Sequence, residues 1–186
     1  MKMRCRMAGA WPVLLAASTI ANAQDAPAKL DESAALSFSQ AAIGRTLGRH
    51  RLTDRRGRTL ELDEFRGRPL VVSLIYTSCA HTCPMLTTHL KDVVETAREA
   101  LGEESFAVLT VGFDAANDTP ARMASFARER GIDLSDWYFA SADAATIDAL
   151  SHELGFVFQR SAAGFDHLTQ TTVVDAGGRV YAQLYG

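Results

Sequence analysis

The feature that most constrains this chain is the run Leu70 to Thr77 (LVVSLIYT), followed by a proline-led amphipathic stretch from Pro84 to Leu101. The first segment is nearly continuous in apolar residues and rich in β-branched ones, as is a strand covered on both faces of a sheet. In the second, Leu86, Leu90, Val93, Val94, Ala97 and Leu101 recur at helical spacing, and Gly102 ends the run. The spacing predicts a helix with Pro84 at its first position, where a missing N–H costs nothing. A strand buried on both faces must have helices above and below it, so the chain belongs among α/β layer folds.

The remaining segments extend that pattern. Arg51-Leu52-Thr53 and Thr59-Leu60-Glu61-Leu62 flank Asp54-Arg55-Arg56-Gly57 and predict a β-hairpin. Phe106 to Phe113 predicts a strand, and Thr119-Pro120 opens a helix with Met123, Phe126 and Ala127 inward. Trp137 to Ala140 is a short strand, Asp143 to Leu154 a helix, and Phe156-Val157-Phe158 an edge segment. Thr171 to Asp175 and Arg179 to Tyr185 flank Ala176-Gly177-Gly178 and close the chain with a second hairpin. Strand, helix, strand, helix and hairpin is the thioredoxin order, with a helix-containing insertion before the last hairpin.

The chain has 186 residues, 47% of them hydrophobic and 22% charged, enough for one ordinary core without metal or disulfide staples. A formal charge of −3 shows none of the basic excess that nucleic-acid binding requires. Residues 1–23 read as a signal peptide: Lys2, Arg4 and Arg6 precede an apolar run from Ala8 to Ile20, and Ala21-Asn22-Ala23 suits a signal peptidase. The expected location is therefore exported and periplasmic, with membrane anchoring if the leader is kept. Residues 24–44 lack periodicity and are expected to form a flexible linker or arm. The folded domain is expected over residues 45–186.

Removal of the leader takes Cys5 and leaves Cys79 and Cys83. A pair four residues apart closes too small a loop to stabilise much, so it reads as chemistry rather than as a staple. Both follow the strongest strand and enter the strongest helix, at the strand carboxyl ends where α/β sheets place their sites. A helix N-terminus favours a thiolate, so Cys83 is expected to have a depressed pKa. Soft thiolates select Cu(I), zinc or iron–sulfur clusters, and two sulfurs leave a metal site open. His167, in Gly164-Phe165-Asp166-His167 before the last hairpin, is the strongest candidate for a third ligand. A single loop histidine is more often a surface residue, so the residues alone leave this open, as they do metal binding against thiol–disulfide exchange. His81 is either a solvent-facing loop residue or an extra ligand. His50, His89 and His152 are expected at the surface.

Tyr76-Thr77-x-Cys79-x-x-x-Cys83-Pro84, Asp114-x-x-x-Asp118-Thr119-Pro120 and Asp166-His167 ahead of a hydrophobic strand resemble, as an ordered set, the SCO/SenC family of cytochrome c oxidase assembly factors. The resemblance runs from about His50 to Gly186. It implies a thioredoxin fold and a copper site made by Cys79, Cys83 and His167. It also implies that Asp114 and Asp118 lie near that site, where either could orient the histidine; otherwise Asp118 and Thr119 cap a helix. The implied role is a metallochaperone, rather than an enzyme in the ordinary sense, that delivers copper to an oxidase subunit or another exported copper protein. The alternative is a dedicated thiol–disulfide oxidoreductase that reduces such a client, with Cys79 and Cys83 as its redox pair. The family's usual C-terminal helix is missing from this sequence, and His81 is an addition inside the cysteine motif.

Overall fold

The structure, a computed structural model, describes residues 29–186; the expected leader lies outside them. A seven-stranded sheet forms the middle layer, in the order β2-β1-β5-β4-β3-β8-β9. Its centre is β3 (Leu70–Ile75) beside β4 (Ala107–Gly112), paired in parallel from Leu70↔Ala107 to Ile75↔Gly112. Every residue of β4 is buried, as its uninterrupted apolar run requires. β5 (Trp137–Ser141) continues the parallel set beyond β4. On the other flank β8 (Gln170–Val174) runs antiparallel to β3, and β9 (Val180–Tyr185) antiparallel to β8.

The predicted first hairpin is β1 (Arg51–Asp54) with β2 (Thr59–Glu61). Its turn is organised by the buried Asp54 carboxylate, which accepts the N–H groups of Arg56 and Arg58 at 2.8 Å each. Helix α2 (Thr82–Leu101) joins β3 to β4, and α3 (Pro120–Glu129) joins β4 to β5. Right-handed crossovers place both on one face. α4 (Ala144–Leu154) covers the opposite face, where Gln170 and Gln183 donate to the Leu154 carbonyl at 3.0 and 2.8 Å.

Three expectations change. The arm expected over residues 24–44 contains a helix, α1 (Glu32–Gln40), capped by Asp31, which accepts the N–H groups of Ser33 and Ala34. It is docked rather than loose: Ser39 donates to Gln170 at 2.7 Å. Gly155, in the left-handed region at φ 67°, lies so close that a Cβ there would fall 2.7 Å from that of Ala42. The buried residues of this segment are small (Ala35, Ser39 and Ala42), which is why no apolar stripe announces it.

Helix α2 starts two residues before Pro84, which occupies its third position; none of the first four N–H groups has an intrahelical acceptor, so proline fits there too. Its buried seam runs through Cys83, Thr87, Val94 and Arg98, while Val93 and Leu101 are exposed. Finally, His167 lies on a strand: β7 (Gly164–His167) pairs with β6 (Phe158–Ser161) as a separate two-stranded hairpin. The predicted edge segment at residues 156–158 contributes only Phe158 to it.

Candidate metal centre

Cys79 and Cys83 follow the carboxyl end of β3, as the strand-then-helix pattern requires. Tyr76 to His81 forms the connecting loop, and an acidic residue holds it in place. The buried Asp118 accepts the Thr77 N–H at 2.8 Å and the Thr77 hydroxyl at 2.7 Å through one oxygen. Its other oxygen accepts the Asp114 N–H at 2.9 Å. Gly112 permits this approach, since a Cβ there would sit 2.4 Å from that of Asp118. Burial raises the pKa of the Asp118 carboxyl, and its hydrogen bonds counter that only in part.

Among the described residues the hydrogen bonds of Asp114 and Asp118 go to partners other than His167. Asp118 ties the cysteine loop to the β4–α3 loop, and Thr119 is the cap of α3. The Asp114 carboxylate accepts from the Asn117 side chain at 2.8 Å and lies 3.7 Å from the Arg160 guanidinium.

The two sulfurs differ in the opposite sense from expectation. Cys83 is 2% exposed, and burial pushes its thiol up to about 12 despite its place in the first helical turn. Loss of hydration outweighs the helix terminus. Cys79 is half-buried; burial opposes its thiolate, but the N–H groups of Cys83 and His81 and the Tyr76 hydroxyl together leave its pKa lowered. The Cys83 N–H to Cys79 Sγ distance is 3.4 Å. Tyr76 is itself pushed up to about 12 by burial and by its bond to Cys79, so it remains a donor. Both thiols are free.

His167 stands in a nest of rings, with centroids 5.4 Å from Phe113, 5.5 Å from Phe156 and 6.0 Å from Tyr76. Burial lowers its pKa, which keeps the ring neutral at pH 7. Nδ1 lies 2.8 Å from the Leu168 carbonyl oxygen. A carbonyl can only accept, so Nδ1 carries the proton and Nε2 presents a lone pair. His167 shares a cleft of about 280 Å³ with Cys79, Tyr76, Thr82 and the N-terminal residues Lys29, Leu30 and Glu32. A second, apolar groove of about 240 Å³ between α2 and β8–β9 is shared with Cys83, Leu86, His89 and Leu184. His167 thus lines one cavity with Cys79 and another with Cys83. Among the described residues, no three His, Cys, Asp or Glu side chains converge closely enough to hold an ion.

The other sequence candidates fall apart from this centre. His50 is buried rather than superficial, its Nε2 2.7 Å from Glu153. His152 is exposed, with its ring 5.5 Å from that of Phe38. His81 is exposed at the start of α2. The residue that sequence reasoning missed is Tyr76, whose neighbour relation to Cys79 in the motif was its only signal.

The molecule's similarities follow the same outline. The SCO1/SenC family model matches residues 38–185. The SCO1 protein homolog of Bacillus subtilis (strain 168) is 27% identical over 85 residues, which are 45% of this chain and 42% of that relative's length. A solved chain from Aquifex aeolicus VF5 superposes with a TM-score of 0.70 at 28% identity, covering 77% of this chain and 83% of its own. Bradyrhizobium japonicum ScoI, solved with copper bound, gives 0.64 at 21%, covering 76% and 88%. BsSco, described as a member of the Sco family of cytochrome c oxidase assembly proteins, gives 0.66 at 18%, covering 76% and 84%. With a thioredoxin-like sheet, a thiol pair at the head of its central crossover helix and a family model spanning nearly the whole described domain, this chain belongs to the SCO1/SenC family.

Proposed function

We propose that this chain is a copper-binding assembly protein that delivers copper to a respiratory cytochrome c oxidase, with Cys79, Cys83 and His167 as the ligands. The observation that carries the reading is the state of His167: neutral, with Nδ1–H held by Leu168, Nε2 left as an acceptor, and the residue lining one cavity with Cys79 and another with Cys83. Two thiolates and an imidazole form a donor set suited to copper in either oxidation state. The solved relative with copper bound supports the cargo, and the description of BsSco supports an oxidase as client.

The thiols capture Cu(I), each losing its proton to the medium, and His167 completes the set. Because the three side chains do not converge, loading requires the histidine hairpin and the cysteine loop to approach each other. A client's own ligands then take the ion by exchange. The site is placed in the periplasm, beyond the leader expected at residues 1–23. Among the described residues no helix is long and apolar enough to cross a membrane. Anaerobic copper titration of the reduced protein tests the reading: one copper should bind, and His167→Ala should weaken Cu(II) binding markedly. Unchanged Cu(II) affinity in that variant would remove His167 from the ligand set.

The unequal thiols favour a second reading, thiol–disulfide exchange. The more accessible Cys79 thiolate would attack a client disulfide, expel one client thiolate and form a mixed disulfide. Cys83, on losing its proton, would attack Cys79, release the second client thiol and leave the Cys79–Cys83 disulfide, for a balanced transfer of two electrons. A mixed disulfide trapped by Cys83→Ser and unaffected by His167→Ala would favour this reading over copper delivery.

A further inference from the structure

We propose that His81, Met85 and His89 form a second, transient Cu(I) site on the outer face of α2, from which the ion passes to Cys79 and Cys83. The proposal rests on the copper reading above. Residues four apart on a helix lie on one face with Cβ atoms about 5–6 Å apart, so Met85 can share an ion with His89 on one side or, across the helix start, with His81 on the other. None of the three serves the fold. Met85 is 64% exposed, and both histidines are exposed. His81 occupies the cap position of α2 yet makes no side-chain cap, where Ser, Thr, Asp or Asn would.

The donor types select the ion. A thioether with imidazole nitrogens suits Cu(I), and the first turn of α2 carries no acidic residue to attract a hard cation. The placement supplies the route. His81 stands between Cys79 and Cys83 in the chain, two residues from each, and His89 lines the groove that holds Cys83 and His167. Neutral ligands hold Cu(I) less tightly than thiolates, so an ion landing on Met85 moves downhill to the cysteines. No electron is transferred; each thiol that takes the ion releases its proton.

The test begins with the Cys79→Ser/Cys83→Ser variant, titrated anaerobically with Cu(I) against a chromogenic Cu(I) chelator. One weakly held Cu(I) should remain, and adding Met85→Leu should weaken it about tenfold or more, the range seen when a metal site loses a supporting group. In the protein with its cysteines intact, Met85→Leu should slow Cu(I) loading in stopped flow while one copper still binds at the end point. The proposal is overturned if the double serine variant binds no Cu(I), or binds it equally well with Met85→Leu, while the unmodified protein still takes one copper. If the unmodified protein holds Cu(I) no more tightly than the double serine variant, the thiol site itself is wrong and the hand-off falls with it.

Discussion

The cysteine loop is held by directional hydrogen bonds, whereas the β6–β7 hairpin that carries His167 is held by packed rings. Thr77 is fixed by two bonds to Asp118, and the Cys79 sulfur accepts the Cys83 N–H. Among the described residues the His167 side chain has one hydrogen bond, to its neighbour Leu168, and otherwise leans on Phe113, Phe156 and Tyr76. Hydrogen bonds fail once their geometry is lost, while aromatic contacts tolerate sliding over a broad range of angles. The thiols are therefore the fixed half of the centre and the imidazole is the adjustable half.

That contrast can be broken most severely at Phe113. It is 2% exposed and contacts the rings of Tyr76, Phe156, Phe158, Phe165 and His167. Phe113→Ala should cost about 3–5 kcal/mol, read as a lower urea midpoint. Asp118→Ala should come next, at about 2–3 kcal/mol, because the buried Asp114 N–H and the two half-buried donors of Thr77 lose their acceptor. It should also loosen the cysteine loop, seen as faster exchange of the Thr77 amide. Tyr76→Phe removes only the hydroxyl, for about 1 kcal/mol. Its sharper effect is chemical: the pH midpoint for alkylation of Cys79 should move up, while Cys83 stays the slower thiol.

The smallest effect expected is on the pH dependence. The folded pKa of His167 is depressed below its unfolded value of 6.5 by burial. The unfolded chain therefore binds more protons in that window, and stability present above about pH 6.5 is lost as pH falls through the folded pKa. His167→Gln should flatten that acid-side loss in urea titrations. An unchanged slope would mean that the ring is less enclosed than its aromatic neighbours suggest.

Much of this was legible in the residues, and what was not has a common cause. The order of strands and helices followed from uninterrupted apolar runs, caps and glycine stops, all of which are local signals. The placement of Cys79 and Cys83 between β3 and α2 followed from the same signals. Cys83's acidity did not, because its burial depends on the sheet and aromatic residues distant in sequence. The α1 helix escaped notice since its buried face consists of Ala35 and Ser39, with Leu36 turned outward at 43% exposure. For Asp118 two roles stayed open, orienting the histidine or capping a helix, because sequence spacing cannot tell a bond to Thr77 from one to His167. His50 looked superficial for a similar reason: its partner, Glu153, lies 103 residues away.

The cleft beside Cys79 and His167 is lined in part by Lys29, Leu30 and Glu32, the first residues of the described chain. The polypeptide thus enters the domain at the rim of its own thiol centre. Residues 21–28, which follow the apolar run, can span no more than about 29 Å even fully extended. Should the leader be retained in the bilayer, this tether would hold the centre within a short leash of the lipid headgroups. Any client able to reach it would then have to present its acceptor close to the membrane plane, so the chain's point of entry would act as an address.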